Sequence, residues 1–221
     1  MDTVTIRQAI ARAKLRERQT GYLAAMLHQR AQTLHKAIQL PAQNTVPTLL
    51  HFIIRYVEHV PEYLDALIGI GASLGIEDIT DPVLAISNEF FVQPPSLLNG
   101  HEGLQALMDE AYLAHRLIEA VNDRCCSERD ALIPMDMTRS NLIIHHLIGE
   151  PFANQLDEAV ELIVDNLEQR DYFFVPLSVA RIPDGAAKVY WEKELERWPC
   201  LTDTLVVDLL LGESNRSQFV H

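Results

Sequence analysis

Five side chains of metal-binding or proton-transferring type stand at a spacing that helices can use. They are Glu110, His115 and Glu119 in "EAYLAHRLIEA", and His146 and Glu150 in "SNLIIHHLIGEPF". Both stretches contain His-x-x-x-Glu, which on a helix puts the two groups about one turn apart. Facing helices of a bundle can aim such carboxylates and imidazoles at one interior point. Iron, manganese or zinc is then the expected cofactor, with His51 or Glu58 as further ligands.

The two copies differ in force. His115 and Glu119 belong to a regular helical run, at the edge of its apolar face. Gly149 and Pro151, by contrast, place Glu150 beyond the end of the helix that carries His146, so its spacing means less. Glu110 is the odd residue, because it projects into the apolar arc of Leu107, Ala114, Leu117 and Val121. A carboxylate there must be paired, metal-bound or protonated.

More specific motifs are missing. Glu-x-x-His, His-Glu-x-x-His, a phosphate-binding glycine loop and a dinucleotide fingerprint do not occur. Gly-x-Ser-x-Gly occurs once, as "GASLG" at 71–75. There the following "LGIEDITDP" supplies no long helix, so close packing at a helix end explains the glycines better than a hydrolase nucleophile, Ser73.

The elements that would position these residues read as helices. A first, basic helix spans about 4–39, loosened at Gly21 and ended by Pro41. A second opens near Pro47 and is broken or kinked at Pro61, with a further piece from about 61 to 75 capped by Gly75. A short helix starts at Pro82 with Asp81 as its cap. Longer ones follow over about 102–124, from Thr138 to Gly149, and over about 153–169. "YFFVPLSV" (172–179) and "TLVVDLLL" (204–211) have strand-like content around a helix, though two more helices suit them nearly as well. The expected fold is all-α: one domain over 1–221, an antiparallel bundle of about six to eight helices, with 172–221 as an appendage that can hold a small two-stranded β element.

Composition narrows the class. The 221 residues are 48% apolar and 22% charged, enough for a full core. No apolar run approaches the roughly 18 residues of a membrane span, and "MDTVTIRQAIARAK" lacks a signal-peptide core, so the cytoplasm is the expected compartment. Three cysteines, two of them adjacent (Cys125, Cys126), form no disulfide framework and read as free thiols.

Charge is segregated within a net −13. Residues 1–40 carry seven Lys/Arg against Asp2 and Glu17, while ten acids and no Lys/Arg lie between Arg55 and Arg116. The acidic body opposes nucleic-acid binding. A basic helix on an acidic body instead suggests docking, within the molecule or onto a second subunit, and the acidic face of the 153–169 helix is its natural target. His51, Arg55, Glu58, Glu62 and Asp65 read as a solvated face.

Two functions follow as expectations. One is a non-enzymatic helical protein acting by association, as a homodimer or in a regulatory or interaction role. The alternative is a metal-dependent bundle enzyme, redox or hydrolytic, built on the five residues above.

Overall fold

The computed structural model describes residues 3–36, 38–41, 43–125, 137–169 and 208–209. Within them the chain is an all-α bundle of seven α-helices: α1 (Val4–Thr20), α2 (Tyr22–Arg30), α3 (Thr45–Leu74), α4 (Glu77–Val92), α5 (Leu104–Cys125), α6 (Thr138–Ile148) and α7 (Glu150–Glu168). Two-residue strands β1 (Ile38–Gln39) and β2 (Asp208–Leu209) pair antiparallel, Ile38 opposite Leu209. The expected strand 172–179, the helix after it and Cys126 lie outside the described residues. No described helix is long and apolar enough to cross a membrane.

The bundle is organised around α5, which packs on α1, α3, α4, α6 and α7. A helix covered on so many sides has no room for a wide polar face. Leu107, Met108, Ala111, Leu113, Leu117, Ile118 and Val121 are buried, and so are Asp109, Glu110 and His115.

The first helix is two. Gly21 adopts φ 60°, ψ 25°, a left-handed conformation natural to glycine, and its N–H closes α1 on the Glu17 carbonyl. The Glu17 carboxylate then accepts hydrogen bonds from the Leu23 and Ala24 N–H groups at 2.9 and 3.0 Å. It thereby serves the free donors at the start of α2. Residues 31–36 are turn and loop, so helix does not continue to residue 39.

The expected break at Pro61 does not occur. The α3 helix runs through it from Thr45 to Leu74. A proline inside a helix costs about 3 kcal/mol, but Tyr56, Val57, Val60, Tyr63, Leu64 and Leu67 around it are buried, and each large apolar side chain contributes about 1.5–3 kcal/mol. Pro82 is likewise interior to α4, which starts at Glu77 rather than at an Asp81 cap. The added first turn buries Ile79 and Thr80 and places Glu77 and Asp78 at the helix's positive end. Gly75 caps α3 as its sequence position suggests, with φ 66°.

The "GASLG" glycines are structural. Gly71 lies in α3 where a Cβ would stand 2.4 Å from Thr80 Oγ1 of α4, so only glycine permits this helix–helix approach. Ser73 is exposed on the same helix.

Candidate functional site

The five expected ligands do not assemble. Glu110 and His115 are five positions apart on α5, hence about 140° apart around the helix, and cannot share one aim. Glu119 is engaged by Arg116, by Thr138 Oγ1 at 2.8 Å and by Asn141 Nδ2 at 2.7 Å. His146 sits on α6 between His35 and His145. Glu150 lies beyond the His146 helix, as expected, but is the exposed first residue of α7, which starts there rather than at about 153. Among the described residues no three His, Cys, Asp or Glu side chains are grouped so as to hold a metal.

Glu110 is nevertheless as anomalous as its place in the apolar arc implies. It is 6% exposed and makes no hydrogen bond or ion pair among the described residues. Burial, with Asp109 adding repulsion, pushes its pKa up to about 8, so the carboxyl is largely protonated at neutral pH. Asp109 itself was legible only as the residue before Glu110. It contacts His101 through Oδ2, leaves Oδ1 without a partner among the described residues, and is raised by burial to about 6 against the lowering effect of His101.

His115 is wholly interior rather than at a face edge. The Tyr56 and Tyr63 rings meet it edge-on, with centroids at 4.2 and 5.3 Å, and neither ring nitrogen has a described partner. Burial first, then the nearby His59, holds its pKa well below the ordinary value. His59, on α3, is lowered to about 4 by burial and then by Arg55. The Arg55 guanidinium can only donate, so at 3.4 Å it finds His59 Nε2 as acceptor, which leaves Nδ1–H for the Tyr63 hydroxyl at 3.4 Å.

A second network crosses the bundle nearby. Tyr56 Oη donates to Asn141 Oδ1 at 2.6 Å, Asn141 donates to Glu119, and Arg116 joins Glu119 to Asp157 of α7. Tyr112 Oη also donates to Asp157, at 2.9 Å. These groups satisfy one another, which makes the network a means of fixing α3, α5, α6 and α7 in register.

The basic N-terminal segment docks within its own chain, but not on α7. Arg7 reaches Asp65 at 2.6 Å, Lys14 pairs with Glu58 of α3, and Arg16 reaches Glu102 at 2.5 Å. The acidic face of α7 is met instead by α5, where Arg124 approaches Glu161, Asp165 and Glu168 at 2.5, 2.6 and 3.2 Å. The reason is position: α7 packs directly on α5.

Where α1 crosses α3, a groove of about 480 Å³ opens, and its size is that of a small-molecule site. Ile10, Ala11, Leu15 and Pro61 supply its apolar lining; Arg7, Lys14 and Arg18 of α1 stand opposite Arg55, Glu58 and Glu62 of α3. Lys14 and Arg55 share the single carboxylate of Glu58, and Arg18 has no ion-pair partner among the described residues. Sequence periodicity placed Arg55, Glu58 and Glu62 on a solvated face; the missing signal was which helix crosses that face. No family model, curated protein or solved structure matches the chain.

Proposed function

We propose that the chain is a non-enzymatic binding protein whose α1–α3 groove takes a small organic anion, a carboxylate or phosphate carried on an apolar body. The observation behind this reading is the gathering of Lys14, Arg18 and Arg55 against Glu58 and Glu62 in one apolar-floored groove, beside an Arg7 already paired with Asp65, on a chain of net charge −13. Here Glu58 is divided between two, which leaves positive charge for an incoming anion.

Part of the segregated charge that suggested a homodimer is taken up inside one chain, by the pairs of Arg7, Lys14 and Arg16. Metal-dependent bundle chemistry with iron, manganese or zinc keeps one specific support, the buried Glu110, which has no partner among the described residues. Elemental analysis of untagged protein tests that reading, and less than about a tenth of a metal ion per chain would end it.

The groove is tested by thermal-shift and calorimetric titration with medium-chain carboxylates and alkyl phosphates. A saturable calorimetric isotherm is expected, with a thermal shift that grows with the logarithm of ligand concentration, because a ligand at one hundred times its Kd adds about 2.7 kcal/mol. Arg18→Glu should abolish the shift while leaving the unliganded melting temperature nearly unchanged. No shift across the panel, or one that survives Arg18→Glu, overturns the proposal.

A further inference from the structure

The stretch that supplied His146 has a neighbour that sequence distance concealed. His35 lies in the turn after α2, and its ring stacks against that of His146 with centroids 5.8 Å apart and planes within 11°. His145 meets His146 at 6.0 Å. The two segments are brought together by Arg30, whose Nη2 donates to the Ile148 carbonyl at 3.0 Å and so fixes the end of α2 on the end of α6.

We propose that His35 and His146, flanked by His145, form a surface site for one late first-row divalent cation of the Zn²⁺, Ni²⁺ or Cu²⁺ type. Two imidazoles that share such an ion through nitrogens at about 2.0–2.1 Å have ring centres roughly 5–6 Å apart, so the spacing present needs ring rotation rather than backbone movement. Two imidazoles form the core of the site and water completes it, in keeping with the lack of any three-residue enclosure among the described residues. Imidazole donors select zinc, nickel and copper over magnesium and calcium.

The surroundings suit a cation. His145 Nε2 contacts Asn154 Oδ1 at 3.1 Å and lies 3.5 Å from Asp157 Oδ2. These contacts hold the flanking His145 ring in place against His146, without occupying either of the two ligand imidazoles. His146 has no hydrogen-bond partner among the described residues. The C-terminal carbonyls of α6 carry partial negative charge, and Glu150 acts on His146 with the same sign. Arg30, at the same helix end, opposes this field and limits affinity.

The site is independent of the α1–α3 groove and of Glu110 and His115, so its test is too. Full-length untagged protein is titrated with Zn²⁺ by calorimetry and with Cu²⁺ by electron paramagnetic resonance. One ion per chain is expected, with copper hyperfine structure from at least two nitrogens. His35→Gln and His146→Gln should each weaken binding by about tenfold or more, at least the range seen when an outer-shell partner is removed, and Glu110→Gln should not change it. Absence of saturable binding at one equivalent, or binding that both histidine substitutions leave intact, overturns the site. His35 is exposed, so His35→Gln carries the test if the half-buried His146 does not tolerate replacement.

Discussion

The Tyr56 hydroxyl and the Asn141 side chain, 85 residues apart in sequence, are joined by a 2.6 Å hydrogen bond in the interior of the bundle. Asn141 passes the connection to Glu119, so one amide serves a donor on α3 and an acceptor on α5. Asn141→Leu leaves the Tyr56 hydroxyl unsatisfied, while Glu119 keeps Arg116 and Thr138, and should cost about 1–3 kcal/mol, the range for one orphaned buried polar group. Tyr56→Phe should cost less, about 1 kcal/mol, and the double variant should fall short of the sum. Urea denaturation of the four proteins measures the coupling.

Glu110 should make stability fall as pH rises. Its folded pKa of about 8 lies above the ordinary 4.5, so the folded state holds a proton that the unfolded state has released. The favourable contribution is complete below about 4.5 and is lost as pH climbs through 8. Glu110→Gln should therefore gain on the wild type by an amount that grows across this window, on the order of a few kcal/mol at its upper end. Denaturation midpoints at pH 5 and pH 8.5 decide the matter, and equal differences at the two would contradict it.

His59 acts in the opposite direction. Its folded pKa of about 4 is below the ordinary 6.5, so the unfolded chain takes up the proton first as pH falls. Stability is lost between about 6.5 and 4, and His115 adds to the loss in the same sense. His59→Gln should flatten that acid limb of the wild-type profile, whatever it does to absolute stability.

At the α3–α4 contact, Gly71→Ala should destabilise by about 1–3 kcal/mol through overpacking. The added methyl would meet Thr80 Oγ1, so Thr80→Ala should restore part of the loss in the double variant. Additive losses would mean that the two residues do not meet as described.

Glu17 offers a fifth test, of a helix start. Glu17→Ala removes the acceptor of two backbone N–H groups and should cost about 1–3 kcal/mol, whereas Glu17→Gln keeps one side-chain oxygen and should cost less. Hydrogen exchange at Leu23 and Ala24 should accelerate selectively in the alanine variant.

What the sequence revealed, and what it hid, follows from how far each signal reaches. The apolar spacing of 104–121 and of 156–167 located α5 and α7 well, because a helix that buries one face must repeat its apolar residues. The strange position of Glu110 was visible for the same reason. Pro61 and Pro82 misled, since a local rule about missing N–H groups competes with burial that only the assembled bundle provides. His115 was placed at a face edge because one helix cannot report how many neighbours cover it. The groove and the His35–His146 pair depend on which helices meet, and spacing along one helix does not encode its crossing partners.

The tie between Arg30 and Ile148 spans 118 positions, and Ile38 pairs with Leu209. During synthesis the chain emerges N-terminus first, at about 5–20 residues per second. The segment from Arg30 to Gln39 thus waits for several seconds or longer while its partners are still being made. The α1 helix can settle on α3 early, but β1 can pair only after residue 209 has left the ribosome. Assembly of this end of the molecule is a late event, set by the order of translation.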